Sequence, residues 1–136
     1  MTTQIDLIAS GPHQSVHVYS NGELRILREF HSTKQYMQHL CLGNGTTLEG
    51  CYEASRLLIA HAYKRPIYIG GNCNQIFIPT SSVKKTDCVW VSLDFLMNET
   101  LQDYNEYGYE VMSMTRWQKH LSDGIALRLA IFRRET

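Results

Sequence analysis

The chain has 136 residues, 43% hydrophobic and 19% charged, which fits one globular domain with a real core and excludes a disordered tail protein. Thirteen basic and thirteen acidic residues cancel, so the basic excess usual in DNA-binding domains is missing. That neutrality combines opposed stretches: residues 45–85 hold five cations and two anions, 86–111 six acids and no base, and 112–136 five cations and two anions.

The opening "MTTQIDLIAS" lacks a basic n-region and a long apolar run, and no segment reaches the roughly 20 apolar residues of a membrane span, so a cytoplasmic protein is expected. "SVHVYSNGELRILREF" alternates apolar and polar residues around Asn21-Gly22, which predicts a hairpin with strands near 15–20 and 23–30. Ser32 or Thr33 can cap a short helix through "KQYMQHLCL", which Gly43 would stop. The glycine-rich "GNGTT" leads into "LEGCYEASRLLIAHAYK", where Leu48, Tyr52, Leu58 and Ala62 suggest a helical stripe that Pro66 ends.

"PIYIGG" reads as a short strand, and "GNCNQIFIPTSSVKKTDCVWVS" as two strands joined by a polar, basic loop. "TLQDYNEYGYEVMSM" reads as a further hairpin. Thr115 and Gln118 have capping-box spacing, which predicts a helix from Arg116. Over 125–133 two readings stay open. "SDG" at 122–124 signals a turn and "IALRLAIF" alternates like a strand, whereas a continued helix would carry Arg128 in the middle of its apolar face. The expected fold class is α+β, one domain over 1–136, mostly antiparallel strands with two or three helices. Within it, residues 1–44 form an N-terminal hairpin and short helix, and 45–136 the remainder.

Cys41, Cys51, Cys73 and Cys88 lack the close pairing of zinc ligands, and a disulfide scaffold is not expected in a cytoplasmic chain, so all four read as reduced and mostly buried. Phosphate-cradling glycine loops and a Gly-x-Ser-x-Gly elbow do not occur. His61 could in principle serve Cys51 as a base, but a surface histidine near a packed cysteine is the simpler reading. Tyr104, Tyr107 and Tyr109 could stack bases, although cross-strand packing is the commoner role of tyrosines on hairpins. No enzyme, cofactor or metal is expected.

"NQIFIPTSS", followed by Cys88, Trp90 and Ser92, resembles the central signature of the ComK family, competence transcription factors of low-GC Gram-positive bacteria. "GTTLEG…KRPIYIGGNCNQIF" is similar to that family's glycine loop, helix, Lys-Pro and strand, so the resemblance covers about 45–120. It implies a DNA-binding activator that acts as a homo-dimer or higher oligomer on paired A/T-rich boxes, entering the minor groove and bending the DNA. A/T tracts offer a narrow groove of enhanced negative potential, with acceptors on its floor.

The side chains suited to that groove are the donors Asn74, Gln75, Thr80, Ser81 and Ser82 and the cations Lys64, Arg65, Lys84, Lys85, Arg116 and Lys119. Each also has a plainer role: amides and hydroxyls can satisfy nearby backbone, and the lysines can simply be solvated. The chain departs from the family where Cys51 and Tyr52 follow Gly50 in place of an Arg-Lys pair. A rival reading is a ComK-fold protein that acts through protein partners, such as a relative or an adaptor and protease complex. A small-molecule-binding domain ranks third.

Overall fold

The computed structural model describes residues 4–60, 65–81 and 86–135. Six strands form one sheet: β1 (Leu7–Gly11), β2 (Ser15–Ser20), β3 (Glu23–Leu27), β4 (Ile67–Ile69), β5 (Gln75–Pro79) and β6 (Trp90–Ser92). Their order is β3-β2-β1-β6-β5-β4, with every neighbouring pair antiparallel. The β2–β3 turn has Asn21 at φ 54° and Gly22 at φ 79°, the two positive angles that a type I′ hairpin needs. The N-terminal hairpin is not an appendage, because β1 pairs with β6 in the register Leu7↔Val91.

Side chains alternate across a strand, and here both faces are apolar. Ile8, Val16, Val18, Phe77 and Trp90 point to one face, where α1 (Thr33–Gly43) and α2 (Leu48–Leu58) cover them with Met37, Cys41, Leu48 and Cys51. Leu7, Ala9, Ile76, Ile78 and Val91 point to the other, under α3 (Leu93–Asn98), α4 (Leu101–Glu106) and α5 (Met114–Glu135). The result is a helix–sheet–helix sandwich in the α+β class.

Two expectations change, and two further features are unread or left open in the sequence. First, α2 ends at Leu58 rather than at Pro66: Ile59 turns out of the helix at ψ 74°, so that Leu58 and Ile59 pack on the second core, while the Ser55 hydroxyl donates to the Pro66 carbonyl. Second, α3 starts directly after β6, because the buried Ser92 hydroxyl accepts from the Phe95 N–H at 3.1 Å and caps it.

Third, residues 101–106 are helical, not part of a hairpin. Thr100 and Asp103 form a reciprocal capping box, and the buried Tyr104 ring lies against Phe95 and Trp117. Fourth, α5 begins at Met114, where the Ser113 hydroxyl accepts from the Arg116 N–H, and it runs unbroken through 125–133. Arg128 is tolerated because it lies at the side of the apolar face and reaches Asp94 of α3 at 3.1 Å. Gly124 lets α5 approach the sheet, since a Cβ there would lie 2.7 Å from Leu93 Cδ1.

Candidate nucleic-acid interface

At the Pro79 end of β5, the backbone N–H and the hydroxyl of Thr80 both donate to the Val89 carbonyl at 2.9 Å, so this buried side chain closes the mouth of the β5–β6 hairpin. Ser81 follows, half-buried, with its carbonyl near the Cys88 thiol at 3.6 Å. The start of α1 holds the returning limb. Thr33 donates its hydroxyl to the Cys88 carbonyl at 2.6 Å and the Thr86 carbonyl at 3.1 Å, and the Lys34 N–H reaches Thr86 at 3.2 Å.

The start of α5 meets the same end. Arg116 donates to the Thr80 carbonyl and to Glu110 Oε1, the latter at 3.0 Å. Lys119, one turn further along α5, is exposed. Arg65 precedes the Ile67↔Phe77 pair by two residues, which places it at this end too, where it donates to the Ala60 carbonyl at 2.9 Å. The structure thus gathers Arg65, Thr80, Ser81, Arg116 and Lys119 with the first turns of α1 and α5, whose aligned dipoles favour negative charge. Lys64, Ser82, Lys84 and Lys85 lie outside the described residues.

The two amides are elsewhere. Six and seven residue steps separate Gln75 and Asn74 from Ser81, about 20 and 23 Å at roughly 3.3 Å per residue. Gln75 is 3% exposed, and both of its amide atoms are bonded to the Ile5 backbone, which removes it from a groove-reading role. Thr80 is removed likewise by its bond to Val89. Asn74 is exposed at φ 47° and accepts from the Tyr68 hydroxyl at 2.7 Å, beside a shallow groove that Arg128 and Phe132 also line.

The tyrosines of the possible stacking platform are packing groups. Tyr109 bonds His17 and Tyr19 through its hydroxyl, Tyr107 meets the Tyr19 ring at 4.6 Å, and Tyr104 is 2% exposed. Burial pushes the Tyr104 and Tyr109 hydroxyls up in pKa, helped by the nearby Glu110 charge and by Tyr19 respectively. Three acids of the 86–111 stretch, Glu99, Asp103 and Glu106, surround a recess with Asp6 on the α3–α4 side, while Glu110 stands at the Pro79 end, bonded to Arg116.

Sequence reasoning missed Lys34. Its helix cap was legible, but its docking on Thr86, 52 residues away, was not. All four cysteines are free and buried. His61 lies outside the described residues, as does its possible pairing with Cys51. Among the described residues no group of three or more His, Cys, Asp or Glu side chains could hold a metal ion, and no helix is long and apolar enough to cross a membrane.

No curated protein and no solved structure matches the chain. A family model described as ComK protein matches residues 9–109. The match begins within β1 and takes in the N-terminal hairpin, which the resemblance over 45–120 had left out, and it stops at Tyr109, before α5. Since it spans most of the chain and runs through every strand of the single sheet, the chain belongs to the ComK family, a family of competence-type transcription factors.

Proposed function

We propose that the protein regulates transcription by binding A/T-rich duplex DNA through the minor groove, as a dimer or higher oligomer, in the cytoplasm. The observation that carries this reading is the gathering of cations and hydroxyls at one end of the sheet in a chain of this family. Arg65, Ser81 and Lys119 form the described part of the surface, and the sequence adds Lys64, Ser82, Lys84 and Lys85 in the adjoining segments. Arg116 takes a supporting role, since Thr80 and Glu110 already engage its guanidinium.

The floor of the minor groove presents only acceptors at A·T pairs, which suits the Ser81 hydroxyl, whereas Asn74 stands at the far end of the buried β5. Locally concentrated cations reconcile DNA binding with zero net charge, since Asp6, Glu99, Asp103 and Glu106 gather away from them on the α3–α4 side. The experiment is a competition assay: a minor-groove ligand should displace the protein from an A/T-box duplex, and a major-groove ligand should not.

A second reading rests on α5. Ile125, Leu129 and Phe132 form an exposed apolar stripe at helical spacing, with Phe132 62% exposed. In that reading the chain works through a protein partner, and loss of Leu129 and Phe132 abolishes function while DNA affinity stays unchanged.

A further inference from the structure

Cys41 lies in the last turn of α1 and Cys51 in the first turn of α2, and their sulfurs are 3.9 Å apart. A disulfide requires about 2.05 Å, so the two turns need to close by roughly 2 Å. The segment between the helices, with Gly45 at φ 81°, contains the joint that can absorb such a movement.

The two thiols are not equivalent. The two sulfurs share a contact in which either can donate; the Cys51 thiol also reaches the Tyr68 carbonyl at 3.4 Å, and the Thr46 hydroxyl stands 4.0 Å from it. The mutual contact pulls Cys51 below the ordinary thiol range and, with burial, pushes Cys41 above it. Burial raises the other two thiols, Cys73 to about 11. Cys41 and Cys51 are in sulfur contact, and Cys51 is the one whose thiol is pulled below the ordinary range.

We infer that Cys41 and Cys51 form a peroxide-sensitive thiol pair that closes reversibly to a disulfide, tying the end of α1 to the start of α2. The oxidant is hydrogen peroxide. The Cys51 thiolate attacks one peroxide oxygen; an S–O bond forms, the O–O bond breaks, and the departing hydroxide takes up a proton as water. Cys51 sulfur is thereby oxidised to a sulfenic acid and the peroxide is reduced. The Cys41 sulfur then attacks Cys51, the S–O bond breaks, and the leaving hydroxyl departs with the Cys41 proton as a second water. Two thiols and one peroxide become one disulfide and two waters.

The pair also has a lever. Asn44, between the two helices, accepts from the Cys73 N–H at 2.9 Å and packs against Gly71 in the β4–β5 turn, next to Asn74. Closing the pair pulls on that turn. Because Cys41 is fully buried and Cys51 is 4% exposed, a small oxidant is selected over a bulky disulfide.

The test is mass spectrometry on the intact folded protein, and its readout is independent of DNA binding. Trypsin cuts after Lys34 and Arg56, so both cysteines fall in the single peptide 35–56. Hydrogen peroxide should lower that peptide by about 2 Da, reversibly with dithiothreitol, and oxidised glutathione should do so at least about tenfold more slowly. In Cys41→Ser, Cys51 should be trapped as a sulfenic acid by dimedone. In Cys51→Ser, Cys41 should stay unmodified. The inference is overturned if the peptide keeps its mass while Cys73 or Cys88 oxidises at a similar rate, a result that needs no variant to fold.

Discussion

Gln75 grips Ile5 with both ends of its side-chain amide: Oε1 accepts from the Ile5 N–H at 3.0 Å, and Nε2 donates to the Ile5 carbonyl at 2.9 Å. The bond bridges β5 to the residues before β1, where β6 has already ended at Ser92 and left a gap in the sheet. Gln75→Ala would leave two buried backbone groups unpaired, which costs about 2–6 kcal/mol at roughly 1–3 kcal/mol per orphaned group. Urea denaturation should show that loss. An unchanged midpoint would mean that water replaces the amide and that the gap is open.

Gly11 is required by His17. A Cβ on Gly11 would lie 2.2 Å from His17 Nε2 and 2.6 Å from Ser15 Oγ, and the ring cannot yield freely because its Nδ1 is bonded to the Tyr109 hydroxyl. Gly11→Ala should cost about 1–3 kcal/mol, the usual range for overpacking. Tyr109→Phe should relieve part of that cost by freeing the ring, so a double-mutant cycle should be non-additive. Strictly additive losses would show that the two contacts are independent.

What the sequence made legible was local. The type I′ hairpin, the Ser32 cap of α1 and the β5–β6 pair each rest on neighbours within a few residues, where spacing and side-chain type carry the information. The errors have long-range causes. Tyr104, Tyr107 and Tyr109 looked like strand residues because their aromatic partners, Phe95, Trp117 and Tyr19, lie elsewhere in the chain. The choice over 125–133 stayed open because the partner of Arg128, Asp94, is 34 residues away. For the candidate site, residue types and the placing of Asn74 and Ser81 at opposite ends of one strand were legible, but that Gln75 faces inward was not.

Asp6 predicts a pH signature. Burial raises its carboxyl above the ordinary value of 3.8; the Asn21 N–H pulls it back, and the Asp94 charge adds to the rise. The folded state therefore binds this proton more tightly than the unfolded chain, so the contribution of Asp6 to stability falls as pH rises through its folded pKa. Asn keeps an oxygen for Asn21, so Asp6→Asn should raise the melting temperature slightly at pH 7, with the gain vanishing below pH 3.8. Loss of stability in that variant at neutral pH would contradict this reading. Asp103, held low by the Thr100 N–H and hydroxyl, works in the opposite sense: its stabilisation is present above the ordinary value and is lost as pH falls through the folded one.

The candidate cations divide by role. Replacing Lys84 and Lys85 together with Ala should weaken binding about equally on every sequence, since phosphate contacts carry no base information, and should lower the salt slope by about two. Arg116→Ala should instead reduce stability, because it removes a donor from the Thr80 carbonyl and from Glu110. Melting curves and salt titrations on the two variants separate these outcomes.

The most direct test of DNA binding is a fluorescence anisotropy titration of the protein against two duplexes of equal length, one with paired A/T-rich boxes and one G/C-rich, at several salt concentrations. The account predicts tighter binding to the A/T-box duplex, with affinity falling steeply as salt rises through counterion release. Equal, salt-insensitive or undetectable binding to both duplexes would contradict it.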